Sequence, residues 1–212
     1  MVKVLLMPRA NLTETVVLEA ASTLADDQGF EAVTMSAVAR VLGVRPASLY
    51  EHVRDREALL DGVRRLALGD VATRITEGVA GRSGRAALRG LADAHRAYAA
   101  EHPGSWAALQ RPASPAAAGS PEAAGSPDAA RVASLTLAIL RGYPVPDEHL
   151  VHAARLVGAT VNGFLALSGS RAFDHRPDAV GASWTAAVDA LDRALSTWPR
   201  EGDPDDLDHT HP

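Results

Sequence analysis

The segment ARVLGVRPASLYEHV, residues 39–53, constrains the fold more than any other part of the chain. A helical apolar pattern stops at Gly43, and a new helix begins three residues later at Pro46. Glycine adopts the left-handed backbone that a tight turn requires, and proline fits the first turn of a helix. The segment therefore predicts two short helices joined by a turn of three or four residues, which is the helix-turn-helix arrangement.

The apolar residues of this segment are spaced so that the two helices pack against each other. Ala39 is small where the helices cross closely, and Val44 and Leu49 hold the second helix on the first. In a helix-turn-helix the second helix enters the DNA major groove. An ordinary hairpin of two helices in a bundle has the same spacing, so spacing alone leaves both interpretations open. The exposed face of the second helix offers Arg45, Ala47, Ser48, Tyr50, Glu51 and His52.

The charge distribution permits nucleic-acid binding although the net charge is -5. Residues 200–212 carry five acids and one arginine, so this tail accounts for -4 of the total. Residues 34–56 carry four arginines and two acids, which is a modest basic patch. The position of charge therefore matters more here than its sum. The tail has little apolar area to bury and is predicted to be disordered.

Apolar residues recur at helical spacing along most of the chain, and no useful length shows alternation with period two. The pattern predicts an all-α protein. Aromatic residues make up 4% of the chain, so its core is built mainly from Ala, Leu and Val. The predicted helices are 12–28, 36–42, one from Pro46, one from after Asp55 towards Glu77, and then 85–101, 129–141, 147–168 and 177–198.

Several local signals set the predicted ends of these helices. Asn11 and Glu14 resemble a capping box, and Gly29 ends the first helix. The sequence His102-Pro103-Gly104 closes the helix 85–101. Residues 112–128, PASPAAAGSPEAAGSPD, contain Ala-Gly-Ser-Pro twice, and such low-complexity sequence predicts a flexible loop.

Residues 17–60 resemble the DNA-binding domain of the TetR/AcrR family of bacterial transcriptional regulators. The match is carried by EAA at 19–21, GFEAVTM at 29–35, VARVLGV at 38–44, SLYEHV at 48–53 and DREALL at 55–60. The resemblance implies a three-helix DNA-binding domain at residues 1–54. It also implies a helical domain for ligand binding and dimerisation at residues 55–199, followed by the acidic tail 200–212.

The C-terminal part resembles the WHG-type subgroup of that family. The similar stretches are AYAAEHPGSWAAL at 97–109 and NGFLALSGSRAF at 162–173. Val161-Asn162-Gly163 stands where the subgroup has Trp-His-Gly. The resemblance implies a pocket between the fourth helix and the middle helices, for an effector of unknown identity. The candidate ligand-binding residues are His95, Tyr98, Trp106, Asn162 and Phe164, and core packing explains each of them equally well.

The position of each residue in the motif gives the candidates for DNA contact. Arg45 could reach a guanine edge or a phosphate, and Tyr50 resembles the family tyrosine that touches the DNA backbone. Tyr50 could instead be a partly buried packing residue. Hydroxyl and amide groups at the start of the predicted helix 36–42 suit a phosphate clamp. The predicted DNA-binding residues are Thr34, Ser36, Arg45, Ala47, Ser48, Tyr50, His52, Arg54 and Arg56.

One DNA-binding domain reads too few bases for specificity, so a homodimer on a palindromic double-stranded operator is implied. The family's last two helices supply its interface, and residues 150–167 and 182–198 are apolar and rich in small residues. Core packing explains either helix nearly as well. The resemblance favours a repressor released by its effector. The alternative is a small-molecule-binding helical dimer that no longer binds DNA.

Other functional classes find little support in the sequence. It contains no cysteine, no Gly-x-Ser-x-Gly and no glycine-rich phosphate loop, so no catalytic residues, no cofactor and no enzyme activity are predicted. His149 and His152 could present a metal-binding face, but we interpret them as solvated residues at a helix start. No apolar run approaches the roughly 20 residues of a membrane span, which predicts a cytoplasmic protein without a membrane partner.

Overall fold

The computed structural model describes residues 12–111, 127–176 and 179–199. Within these ranges the regular structure is helical throughout, which confirms the all-α prediction. Short 3-10 turns cover Phe30–Ala32 and Asp147–His149. The α-helices of the described ranges are α1 (Glu14–Gln28), α2 (Met35–Leu42), α3 (Pro46–Leu49), α4 (Arg56–Val79), α5 (Gly84–Glu101), α6 (Pro103–Leu109), α7 (Pro127–Leu140), α8 (Leu150–Gly169) and α9 (Val180–Ser196).

The chain divides into two compact units. The first unit comprises Met1–Arg74 and Ala94–Val132, and the second comprises Ile75–Asp93 and Ala133–Pro212. The helices α4, α5 and α7 therefore contribute residues to both units. The predicted domain boundary between residues 54 and 55, which rests on the family resemblance, stays a prediction.

Helix α1 begins two residues later than predicted. Thr13 has an extended backbone and is the N-cap, because its hydroxyl oxygen accepts a hydrogen bond from the Val16 amide at 3.3 Å. The predicted cap Asn11 lies outside the described residues. Gly29 ends the helix as predicted, with φ of 90° and its amide donating to the Ala25 carbonyl at 2.8 Å.

The turn between α2 and α3 has the predicted geometry. Gly43 adopts the left-handed conformation (φ 69°, ψ 26°) at the C-terminus of α2. The Val44 amide then donates to the Ala39 carbonyl at 3.0 Å, which satisfies an orphan carbonyl of the helix end. Pro46 is the first residue of α3, and Leu49 is fully buried. The helix-turn-helix follows directly from these local backbone preferences.

Helix α6 was missed by the sequence prediction, in which His102-Pro103-Gly104 only closed the preceding helix. The structure places a new helix at Pro103. Its N-terminus is stabilised from a distant part of the chain, because the Ser105 amide donates to the Asp26 carboxylate at 2.8 Å. The Nδ1 atom of His102 lies 2.8 Å from the other oxygen of that carboxylate. A cap that is 79 residues away in sequence leaves no local signal.

The later helices differ from prediction mainly at their ends. Helix α7 begins at Pro127, so the last two residues of the predicted loop 112–128 are helical. The rest of that loop, residues 112–126, and the tail 200–212 lie outside the described residues. Helix α8 begins three residues late because a 3-10 turn precedes it.

The core of the first unit joins α1, α2, α3, the start of α4 and α6. Small and branched aliphatic residues dominate it, as the composition predicts, and it fixes the orientation of the helix-turn-helix. Its buried members include Val17, Leu24, Val38, Leu42, Leu49, Leu59, Val63 and Ala108.

The second unit contains two hydrogen bonds from aromatic side chains to carboxylates. The indole Nε1 of Trp184 donates to Asp93 at 2.7 Å. The Tyr143 hydroxyl donates to Asp192 at 2.8 Å. Burial, together with the Asp192 carboxylate, raises the pKa of Tyr143 above its usual value. These bonds attach α9 to α5 and to the turn after α7.

The segment Asp147–Gly169 is long and apolar enough to meet the length and hydropathy criteria for a membrane span. The sequence predicts no such segment, because it has no uninterrupted apolar run of that length. The side of α8 with Leu150, Ala153, Val157 and Val161 is buried in the second unit. The helix is accordingly a packing element of that unit.

Candidate nucleic-acid interface

Four of the predicted DNA-binding residues line one open cleft beside α3. The cleft has a volume of about 380 Å³. Its walls combine a guanidinium, a hydroxyl, an imidazole and a carboxylate with two apolar side chains, so it offers donors and acceptors at the same surface. The lining residues are Leu12, Arg45, Ala47, Ser48, Glu51 and His52.

Arg45 is an exposed cation at the cleft. It is the N-cap residue of α3 and is exposed, and its side chain forms no cap hydrogen bond. Within the described ranges no ion pair involves Arg45, whereas Arg54 and Arg56 are both paired. An unpaired guanidinium keeps all five donors for a guanine edge or a phosphate.

Tyr50 follows α3 directly and is 56% exposed. It is therefore not the partly buried packing residue of the alternative interpretation. Its exposed side chain is accessible to an external partner.

The start of α2 carries the two predicted phosphate-clamp residues. The Thr34 hydroxyl oxygen accepts from the Ala37 amide at 3.1 Å, so Thr34 is the N-cap of α2. Its O–H hydrogen is still free to donate. Ser36 lies exposed in the first helical turn. Both hydroxyls therefore stand at the positive end of the α2 dipole.

Arg54 and Asp55 connect the interface to α4. The Arg54 Nε donates to the Asp55 carboxylate at 2.7 Å. The other Asp55 oxygen accepts from the Ala58 amide at 2.8 Å, which caps α4. The Ala58 amide and the Arg54 guanidinium hold the pKa of Asp55 below its usual value. Arg54 is thus oriented by a residue that also sets the start of α4.

Arg56 differs from the other predicted arginines because part of its guanidinium bonds inside the protein. Its Nε donates to the Val33 carbonyl at 2.9 Å. Its Nη2 lies 3.8 Å from the Glu31 carboxylate. These contacts tie the start of α4 to the residues just before α2. Arg56 therefore has a structural role within the protein that does not depend on DNA.

The predicted ligand-binding residues fall into different units. His95, Tyr98 and Trp106 belong to the first unit, while Asn162 and Phe164 belong to the second. Burial raises the pKa of Tyr98, whose ring lies 5.5 Å below the Arg74 guanidinium. Tyr98 is therefore a neutral packing residue that also carries a polar contact.

In the second unit, the Phe164 ring packs on two other aromatic rings. Its centroid is 5.2 Å from Phe173 and 5.2 Å from Trp184. Asn162 is partly buried in the same helix.

One further feature of α4 is Arg64, whose Nε is buried without a hydrogen-bond partner among the described residues. This charged residue falls in the apolar stripe of α4 that includes Leu60 and Ala67. The contact between α1 and α6 was not predicted, because no local sequence signal indicates it. Besides Asp26 and His102, this junction joins Ser22 and Ser105 through a 2.8 Å contact between their hydroxyl oxygens.

No group of three or more potential metal ligands occurs among the described residues. His149 accepts a hydrogen bond from Trp198 at 3.1 Å, and its ring centroid lies 6.2 Å from that of His152. Both residues lie at the start of α8 as expected, but only His152 is exposed, whereas His149 is partly buried against Trp198.

Helices α1, α2 and α3, with a polar and exposed surface at α3 after the turn, have the arrangement of a helix-turn-helix DNA-binding regulator. Known proteins agree with this class. Residues 17–63 match the family described as bacterial regulatory proteins, tetR family. Residues 88–191 match the Tetracyclin repressor-like C-terminal domain.

Two curated relatives and one solved structure resemble the chain over most of its length. The uncharacterized HTH-type transcriptional regulator Rv0681 of Mycobacterium tuberculosis is 32% identical over 165 residues, covering 78% of this chain and 74% of the relative. The crystal structure of BioQ with its natural double-stranded DNA operator is 26% identical, with a TM-score of 0.55 over 86% of this chain and 99% of that chain. YobS of Bacillus subtilis, likewise an uncharacterized HTH-type regulator, is 27% identical over 81% of this chain and 86% of the relative.

The chain belongs to the TetR family of bacterial transcriptional regulators. It is a DNA-binding regulator and, like its family, not an enzyme. The similarity of residues 97–109 and 162–173 to the WHG-type subgroup stays a prediction.

Proposed function

We propose that this protein is a cytoplasmic repressor that binds a palindromic operator as a homodimer and is released by a small-molecule effector. The observation that carries the proposal is the exposed surface at α3, where Arg45 has its donors free beside Ser48 and His52. Such a surface has no packing role, and its donors suit base edges and phosphates. The alternative, a helical dimer that does not bind DNA, does not account for this exposed surface.

The DNA-binding proposal is tested with the promoter DNA beside the protein's own gene. We expect a discrete shifted complex in an electrophoretic assay that survives excess nonspecific DNA. Failure to bind this DNA, and failure to select any sequence from a random duplex library, would favour the alternative of a dimer that only binds small molecules.

The salt dependence of operator binding tests the predicted phosphate contact of Arg54. Each phosphate contact releases about one counterion, so Arg54→Ala should reduce the slope of log K against log salt by about one unit for each subunit that binds, or about two for the dimer. The control Arg171→Ala removes the same charge from an exposed ion pair in the second unit. Fluorescence anisotropy between low and moderate salt gives both slopes. Equal slopes for the two variants would show that Arg54 does not contact phosphate.

An unpartnered stripe along α8 supports the homodimer. Leu156, Thr160, Gly163 and Leu167 follow one another at spacings of four, three and four residues, so they share one side of the helix. Leu156 is 38% exposed and Leu167 is 48% exposed. The small residues between them would allow a second helix to approach closely. A two-fold axis brings the same stripe of a second copy against this one.

Changing both leucines of this stripe to glutamate should dissociate the dimer. Burial of a leucine contributes about 1.5 to 3 kcal/mol, and each substitution occurs twice in a two-fold interface. We expect light scattering to show 22.2 kDa for the double variant Leu156→Glu, Leu167→Glu and twice that mass for the parent.

The matched control for the dimer is Val151→Glu, because Val151 is 53% exposed on the opposite side of α8. This variant should remain dimeric. A double variant that also remains dimeric would place the interface elsewhere.

A further inference from the structure

Glu51 is an acid at a surface that otherwise suits an anionic partner. Among the described residues that line the cleft beside α3, it is the only one with a carboxylate, and it is exposed. The nearby acids Glu31 and Asp55 both pair with arginines. Within the part of the chain that the structure describes, the Glu51 carboxylate forms no ion pair and no hydrogen bond. It is therefore not a counter-ion that the fold requires.

The backbone places Glu51 on the same side of the recognition segment as Ala47 and Ser48. The helical turn continues past the end of α3, because the Val53 amide donates to the Leu49 carbonyl at 2.8 Å. Glu51 follows Ala47 by four residues and Ser48 by three, so the three side chains share one side of that turn. All three line the cleft. Glutamate has the longest side chain of the three, so DNA that docks on this side meets its carboxylate.

A carboxylate in the major groove discriminates among the bases because it accepts hydrogen bonds and cannot donate them. Guanine and thymine present acceptors in that groove, and adenine presents its N7 acceptor beside its amino donor. Cytosine presents its N4 amino group, which is a donor. The phosphates of the DNA repel the carboxylate, and only a contact with a donor offsets this repulsion. Such a residue improves discrimination between sequences more than it improves affinity.

We propose that Glu51 is a specificity-determining residue. Its carboxylate accepts a hydrogen bond from the amino group of one cytosine in each half-site, and it weakens binding to DNA that lacks this cytosine. Arg45 lines the same cleft and supplies the positive charge that keeps this surface attractive to DNA. This inference rests on the proposed binding of a palindromic operator.

The first test compares the sequences that the full-length parent, Glu51→Ala and Glu51→Gln select from a random duplex library. The parent should select a cytosine at one position of each half-site, where a wrong base pair lowers its affinity about 5- to 150-fold. Glu51→Ala should lose the preference at that position alone. Glu51→Gln should change the preference from cytosine to adenine, because a glutamine amide can both donate to N7 and accept from the amino group of adenine.

A base analogue tests the hydrogen bond itself. In the selected operator, 2-pyrimidinone replaces the cytosine of both half-sites, which removes the amino group and keeps the ring. This change should weaken binding of the parent by about 25-fold or more, since each half-site loses about fivefold. It should weaken binding of Glu51→Ala less than twofold, because that variant has no carboxylate to lose the contact.

Binding to nonspecific duplex tests the repulsion. Glu51→Gln removes one negative charge per subunit from the cleft, so it should bind nonspecific DNA at least twofold more tightly than the parent at low salt. The matched control Glu19→Gln makes the same change at an exposed position of α1 and should bind like the parent. Circular dichroism melting verifies that all variants fold.

The outcomes separate this inference from the proposed function. A parent that selects a defined sequence, together with Glu51 variants that select the same bases, refutes the inference alone. Equal weakening of the parent and Glu51→Ala by the base analogue also contradicts it, as does equal binding of nonspecific DNA by Glu51→Gln and Glu19→Gln. A parent that selects no sequence at all refutes the proposed operator binding itself.

Discussion

Arg45→Ala should cause the largest loss of operator affinity of any single substitution at the DNA interface. The Arg45 guanidinium is exposed at the start of α3 and makes no ion pair within the described ranges. A bidentate contact with a guanine contributes about 1 to 3 kcal/mol of discrimination. A dimer makes the contact twice, and every 1.4 kcal/mol is about a factor of ten in Kd.

Arg45→Lys distinguishes base reading from a phosphate contact. Lysine keeps the charge but loses the planar fork, so it should restore a phosphate contact and not a bidentate contact with guanine. We expect Arg45→Lys to lose most of its preference for operator over nonspecific DNA in competition assays. Thermal unfolding should be unchanged, because the Arg45 side chain makes no hydrogen bond or ion pair with the part of the chain that the structure describes. An Arg45→Ala variant with parental affinity would exclude this residue from the interface.

Gly104→Ala should lower the free energy of unfolding by about 1 to 3 kcal/mol, although alanine normally stabilises a helix. Gly104 lies in the first turn of α6, where a Cβ atom would overlap the backbone carbonyl of Ala25 in α1. The atoms that this Cβ would meet belong to the backbone of Ala25 and Asp26, so no flexible side chain can move aside. The added methyl must therefore separate α6 from α1 and strain the bonds from Asp26 to His102 and Ser105.

Gly69→Ala is the matched control for this prediction. It introduces the same methyl group in a helix of the same unit, where the nearest atom would be 3.6 Å away. This ordinary contact should leave the gain in helix propensity, up to about 1 kcal/mol, uncompensated. Urea unfolding of both variants gives the comparison. A Gly104→Ala variant as stable as Gly69→Ala would show that α6 does not pack tightly on α1.

The helix-turn-helix could be predicted from sequence because its signals are local. Gly43 sets a left-handed turn, Pro46 begins a helix, and Thr34 and Asp55 cap the helices that follow them. Each of these preferences acts within about four residues. The periodicity of the apolar residues gave the other helices in the same way, with errors confined mostly to their ends.

Helix α6 and the state of the predicted arginines could not be predicted, because both depend on residues far away in sequence. Asp26 caps α6 across 79 residues, and the Val33 carbonyl engages Arg56 across 23. The sequence shows which residues can donate or accept, but it does not show which of them meet. Arg45 and Arg56 look alike in sequence. Only in the folded protein is the guanidinium of Arg56 engaged by Val33 and Glu31, while that of Arg45 is exposed.

The sequence alone determined the helical class, the turn and the basic surface, since backbone conformation and charge are properties of short segments. Only the tertiary structure decided which donors are satisfied within the protein and which are not. Among the described residues, Nε of Arg64 and Nε1 of Trp106 are buried without an acceptor, which their sequence positions do not reveal. Burial removes the water that would otherwise satisfy such groups, and burial is set by the packing of helices from distant parts of the chain.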